Sequence, residues 1–181
     1  MINNALVYWI TGLSGSGKTT IANSLQKLLM QKKNCNSIVV DGDKLRWAVA
    51  DPNCRYDYQS RTTNAYRISR FTQLIADQGV PVIVATISLF HEIHTWNRKN
   101  LPNYFEIYLQ TKEETLKRRD PKKIYQKVNQ GIENEVVGFQ LGYDQPENPH
   151  LIINNDCDMS DVSNIAETIL TASELYFNPK K

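Results

Sequence analysis

The sequence predicts an α/β fold: a parallel five-stranded sheet flanked by helices in three layers, carrying a mobile lid. Three observations predict it. Short apolar or β-branched runs alternate with longer amphipathic segments along the chain. Those runs are nearly continuous in apolar residues, as strands covered on both faces are. A glycine-rich turn follows the first run and opens the first amphipathic segment.

Taken in order, the first run gives a strand over residues 6–10 and the segment after it a helix over 18–32. Further strands are expected over 37–40, 80–85, 105–109 and 151–153, and helices over 60–77, 111–119 and 160–177. Ser160 is the expected N-cap of the last helix, with Asp161 in its first turn. His91 and His94 fall at i and i+3 of another helical stretch, and with no third ligand at suitable spacing they predict no metal site. Trp9 is expected in the core, while Trp47 and Trp96 stay open between core and pocket border. Between 120 and 149 the apolar periodicity weakens, and Gly131, Gly138, Gly142, Pro146 and Pro149 accumulate. Phe139 and Tyr143 argue against plain disorder there, so the stretch is read as the lid. Residues 1–177 are expected to form a single domain and 178–181 a frayed tail.

The bulk numbers narrow the function classes. A length of 181 residues with 41% hydrophobic content suits one domain with a substantial core. Lys and Arg number 21 against 19 Asp and Glu, so the net charge of +2 gives no reason to expect a nucleic-acid partner. No positively charged leader precedes the first strand, and no run approaches the roughly 20 apolar residues that span a bilayer. A cytoplasmic protein without membrane attachment is expected. Cys35, Cys54 and Cys157 lack any C-x-x-C pair and read as structural thiols of a reducing compartment.

Gly12-Leu13-Ser14-Gly15-Ser16-Gly17-Lys18-Thr19 matches the G-x-x-x-x-G-K-[ST] phosphate-binding loop, placed after a strand and at the start of a helix. Its glycines permit the backbone angles that turn successive N–H groups inward, making a nest for phosphate oxygens at the helix's positive end. Lys18 adds a charge toward the β- and γ-phosphates, and the Thr19 hydroxyl is a candidate Mg²⁺ ligand. Gly12, Ser14, Gly15, Ser16, Gly17, Lys18, Thr19 and Thr20 are therefore the candidate ATP contacts, with ATP and Mg²⁺ the expected cofactors. The D-x-x-G and N-K-x-D strings of a regulatory GTPase are missing, which leaves a small-molecule kinase in a P-loop NTPase fold.

On the acceptor side, Asp41 and Asp43 stand at the C-terminal end of the second strand, where ligands bind in open α/β sheets. One can hold Mg²⁺ or its water while the other accepts the proton of an incoming hydroxyl. Asp43 is the candidate base, and with Thr19 it is also carried as a candidate metal ligand. The competing view is a plain strand-to-helix turn, since Asp-Gly-Asp is turn chemistry in its own right. Arg46 follows, and Arg61, Asn64 and Arg67 share a helix face, forming an anion trap if that face turns inward.

These segments, together with Ile87-Ser88, Phe105-Glu106-Ile107-Tyr108, Arg119-Asp120-Pro121-Lys122, Gly138-Phe139, Asp144 and Glu147-Asn148-Pro149, resemble the adenylylsulfate kinase family over nearly the whole chain. The resemblance implies MgATP-dependent phosphorylation of the ribose 3′-hydroxyl of adenosine 5′-phosphosulfate, in a homodimer. It assigns Lys18 and Asp43 to catalysis, Arg119 to the segment over the ATP adenine, and Asp41, Arg46, Tyr56, Arg61, Asn64, Ile87, Ser88 and Phe139 to the acceptor. Phe139 would stack on the acceptor base, with Tyr56 or Tyr58 near the opposite aromatic.

The departures lie in the lid and acceptor loop. Val137-Gly138-Phe139-Gln140-Leu141 stands where the family has Lys-Gly-Phe-Thr-Gly, Leu89-Phe90 replaces Pro-Tyr, and the stretch 131–139 is longer than usual. Loss of the lid cation fits a different acceptor, and the family's relatives include a kinase of cytidine diphosphoramidate in capsule phosphoramidate synthesis. A nucleotide-binding regulatory protein without transfer activity is the alternative from another class.

Overall fold

The computed structural model of the protein describes residues 5–120, 123–131, 136–138, 141–156 and 161–179. Five strands, β1 (Val7–Thr11), β2 (Ile38–Asp41), β3 (Val82–Thr86), β4 (Tyr104–Gln110) and β5 (Leu151–Asn154), alternate with helices. The helices are α1 (Lys18–Lys33), α2 (Gly42–Val49), α3 (Tyr58–Ala76), α4 (His91–Asn100), α5 (Glu113–Arg119), α6 (Ile124–Asn129) and α7 (Val162–Phe177). The strands pair in parallel in the order β2-β3-β1-β4-β5, as the alternation predicts.

Side-chain alternation along β1 divides the core into two. Tyr8 and Ile10 point to one face and join Ile21 and Leu25 of α1 and Ile169 of α7. Val7 and Trp9 point to the other and join Ala65 and Ile68 of α3 and Ile93 of α4. Trp9 is wholly buried, as expected. Trp47 is instead 83% exposed and lies away from the pocket, while Trp96 packs edge-on against Tyr66 at 6.2 Å. Burial of each large aliphatic side chain contributes about 1.5–3 kcal/mol, so these layers outweigh the half-exposed Lys32–Glu167 ion pair at 2.5 Å.

Three helix starts are set by a cap that propensity does not reveal. The Asp-Gly-Asp segment begins a helix at once: the Asp41 carboxylate accepts from the backbone N–H groups of Asp43 (3.0 Å) and Lys44 (3.2 Å) and caps α2. The helix expected from residue 60 begins at Tyr58, because Asp57 accepts from the backbone N–H of Ser60 at 2.9 Å. Asp120 starts α6 inside the lid, accepting from the N–H groups of Ile124 (2.7 Å) and Gln126 (3.0 Å). For α7 the cap position falls on Asp161, and the proposed Ser160 lies outside the described residues. Cys35 and Cys54 are free thiols, and Cys157 lies outside the described residues.

Candidate active site

The loop after β1 wraps as the motif requires. Gly17 has φ +92° and ψ 9°, a left-handed geometry from which α1 departs, and a β-carbon there would sit 2.9 Å from the Asn155 amide nitrogen. The turn is closed by the Ser16 N–H on the Leu13 carbonyl at 3.1 Å, and Asn155 donates its side-chain amide to the Ser16 carbonyl at 2.8 Å. The Lys18 ammonium lies across the loop, donating to the Leu13 carbonyl at 2.7 Å. Thr19 donates its hydroxyl to Asp41 at 2.7 Å, which joins the first turn of α1 to the end of β2.

One cavity of about 650 Å³ runs from this loop to the acceptor side. Ser14, Gly15, Gly17, Lys18, Thr19, Thr20 and Arg119 line one part, and Asp41, Asp43, Arg46, Tyr56, Arg61, Asn64, Ile87 and Ser88 another. Of the expected residues, Gly12 and Ser16 are absent from its wall, and Phe139 lies outside the described residues. Gly12 and Ser16 shape the loop from behind.

On the acceptor side, the guanidinium carbons of Arg46 and Arg61 lie 4.8 and 5.2 Å from the centroid of the Tyr56 ring. Arg46 also donates to the carbonyls of Cys54 (3.2 Å) and Arg55 (2.9 Å), and Arg61 Nε to that of Tyr56 (2.5 Å). Both cations are thereby held at the cavity wall by the loop before α3. Arg67 does not join them: it pairs with Asp51 at 2.5 Å, and its hydrogen bond holds that carboxyl below the usual range. Asn64 is 5% exposed and its Oδ1 has no hydrogen-bond partner among the described residues, leaving an acceptor atom for a ligand donor.

Several wall residues escaped sequence reading. Thr86 meets the Ser88 hydroxyl at 2.8 Å, and Ser88 itself has φ +22°. Asn155 braces the phosphate loop and receives Arg119 on its carbonyl at 3.0 Å, while Val162 and Ile165 of α7 add an apolar wall. The only signal for Asn155 was its place at the end of a strand. From the lid, Val136 and Val137 reach the cavity. The segment expected as the lid also contacts the glycine-rich loop: Tyr125 donates to the Ser14 carbonyl at 3.2 Å, and a β-carbon on Gly138 (φ +84°) would sit 2.7 Å from the Leu13 side chain.

Comparison with known proteins agrees with this geometry. The sequence profile described as Adenylylsulphate kinase matches residues 4–154. Among curated proteins, the cytidine diphosphoramidate kinase of Campylobacter jejuni is 45% identical over 159 residues, covering 87% of this chain and 90% of that protein. The adenylyl-sulfate kinase of Buchnera aphidicola subsp. Schizaphis graminum is 36% identical, covering 82% and 71%. Among solved structures, the Mycobacterium tuberculosis APS kinase CysC in complex with AMPPNP and APS superposes with a TM-score of 0.85 at 30% identity, covering 94% of this chain and 98% of that one. A glycine-rich loop and the cations Arg46 and Arg61 in the lining of one cavity, with a profile match over most of the sequence, lead to one conclusion: the chain belongs to the adenylylsulfate kinase family.

Proposed function

We propose that this chain transfers the γ-phosphoryl group of ATP to the ribose 3′-hydroxyl of a nucleotide-like acceptor. The observation that supports this best is the continuity of the cavity, whose lining includes both the phosphate loop and Asp43, Arg46, Arg61 and Asn64. The backbone N–H groups of the loop and the Lys18 ammonium, swung off the Leu13 carbonyl, hold the triphosphate. Asp43 accepts the proton of the attacking hydroxyl. Arg46 and Arg61 take the acceptor's anionic groups, and Tyr56 presents a ring edge or face to its base. Phe139 is proposed as the opposite aromatic, and Arg119 as the cover of the adenine.

The oxygen donors fit Mg²⁺. A threonine hydroxyl 2.7 Å from a carboxylate, beside the phosphate nest and with a second carboxylate in the same wall, is a hard-oxygen set suited to that ion. Thr19 and Asp43, with Asp41, would hold it, and when bound it supplies charge neutralisation on the transferring phosphates. The cavity also argues against a non-catalytic regulator, since Lys18 and Asp43 both face it.

Among acceptors, two observations favour cytidine diphosphoramidate over adenosine 5′-phosphosulfate. The Campylobacter jejuni kinase is 45% identical, against 36% for the Buchnera adenylyl-sulfate kinase. In addition, Val137 lines the cavity where the resemblance leads one to expect a lysine, so this wall carries no cation at that position. A coupled ADP-release assay with the two acceptors in parallel tests the choice: the cytidine compound should give the higher kcat/KM, and preference for the sulfate compound would reverse it. A homodimer and a cytoplasmic location belong to the same proposal, the first readable by light scattering. No described helix is long and apolar enough to cross a membrane.

A further inference from the structure

Behind the acceptor wall lies a buried polar cluster that the transfer chemistry does not use. His94 is 2% exposed and Glu106 fully buried. His94 Nε2 lies 3.0 Å from the Ser88 carbonyl oxygen, and an oxygen of that kind only accepts, so Nε2 carries the hydrogen. Nδ1 lies 3.4 Å from Glu106 Oε1, and neither atom has another partner among the described residues. With a neutral imidazole and an ionised carboxyl, two lone pairs would face each other there. The other carboxyl oxygen is taken by Arg98, which also donates to the Asn148 carbonyl at 2.7 Å.

We propose that His94 and Glu106 hold one shared buried proton, and that this proton makes His94 a positioning residue for Ser88 in the acceptor wall. The proposal rests on the acceptor site assigned above. While the proton is present, Nδ1 is bonded and the imidazole stays turned toward the Ser88 carbonyl. That bond anchors a residue at φ +22° whose hydroxyl meets Thr86 across the cavity wall. When the proton leaves, lone-pair repulsion turns the ring and releases the Ser88 carbonyl.

Arg98 and His91 face the pair from α4, Tyr104 from β4, and Asp144 from the segment before β5; His91 in turn lies 3.9 Å from Glu147. His150 accepts from the Glu106 backbone N–H at 2.9 Å through Nδ1 and contacts the Tyr176 hydroxyl of α7 at 3.2 Å, so it supplies no proton to the carboxyl. Burial raises the Glu106 carboxyl to about 7 and lowers His94 to about 4, which puts the shared proton on the carboxyl and its loss near neutrality.

Two measurements test this on the full chain. Histidine-¹⁵N NMR of the wild-type protein at about pH 6 should show His94 as the Nε2–H tautomer with a hydrogen-bonded Nδ1. An Nδ1–H tautomer would overturn the proposal. Separately, the KM for cytidine diphosphoramidate should rise about fivefold between about pH 6 and about pH 8.5, the equivalent of one lost hydrogen bond, with kcat little changed. In Glu106→Gln the amide donates to Nδ1 at every pH, so its KM profile should be flat; a profile as steep as wild type would also overturn the proposal. If neither nucleotide is turned over, the functional assignment falls and the tautomer alone decides the shared proton.

Discussion

The Thr19 hydroxyl donates to the Asp41 carboxylate at 2.7 Å, and the other oxygen of that carboxylate caps α2. One side chain thus ties the phosphate loop to the helix that carries Asp43 and Arg46. Asp41→Asn keeps the cap, since Asn and Asp cap about equally well, but removes the charge. The variant should melt within a few degrees of wild type while kcat falls by about 10²-fold. Asp41→Ala should in addition lose about 1 kcal/mol of stability. Steady-state kinetics beside a thermal melt checks both, and an Asn variant of full activity would remove Asp41 from the catalytic machinery.

At Gly17 the backbone geometry and the neighbouring Asn155 both exclude a side chain. Gly17→Ala should cost at least about 1–2 kcal/mol, because a left-handed residue with a β-carbon is strained before any contact is counted. The loop would have to shift, so ATP affinity should fall with stability. Urea unfolding and calorimetric titration with MgATP read the two losses; unchanged binding would mean that the nest is not shaped by Gly17.

Asn64 offers a test with opposite signs for binding and stability. Its orphaned Oδ1 is unsatisfied in the free protein, so Asn64→Leu should leave stability unchanged or raise it. The same change should raise the acceptor KM about tenfold through a lost hydrogen bond to a nucleotide donor, with the ATP KM constant. An ATP effect as large as the acceptor effect would contradict the placement.

Lid docking rests partly on Tyr125. Tyr125→Phe removes the bond to the Ser14 carbonyl, worth about 1 kcal/mol, and should raise the ATP KM about fivefold. Stopped-flow binding of a fluorescent ATP analogue would place the change in dissociation. A dissociation rate equal to that of wild type would count against docking of the lid on the loop.

The buried pair also shapes stability against pH. Glu106, raised to about 7 from 4.5, keeps its proton in the folded state after the unfolded chain has lost it, so its contribution falls as pH rises through that window. His94, lowered to about 4 from 6.5, is neutral when folded and protonated when unfolded, so its contribution falls as pH drops from 6.5 through about 4. Between 4.5 and 6.5 the slopes oppose and cancel, because folded and unfolded states each bind one proton. Glu106→Gln removes one slope, so its urea midpoint should climb with pH relative to wild type across that range. Parallel profiles would contradict the assignment.

Much of the fold was legible because its three central strands, β3, β1 and β4, are buried on both faces and read as apolar runs. The phosphate loop was legible because only glycine and a helix N-terminus make a nest. What escaped depends on long-range contacts. Asp41, Asp57 and Asp120 act as caps, and a carboxylate's cap role shows only once the chain direction is known. Arg61 and Arg67 were equivalent as helix-face cations until Asp51 claimed one of them. Asn155 and Thr86 reach the site through neighbouring strands, an adjacency that local pattern does not encode. The lid changed character visibly, but its docking depends on Gly138 meeting Leu13, 125 positions away in sequence.

The central claim is transfer of phosphate to a ribose 3′-hydroxyl inside a cavity shared with ATP. It is tested most directly by ³¹P NMR of the products formed from MgATP and cytidine diphosphoramidate, alongside the 3′-deoxy acceptor. A new 3′-phosphomonoester with stoichiometric ADP, and no ADP above background from the deoxy compound, is the predicted result. Equal ADP release from both compounds would contradict the account.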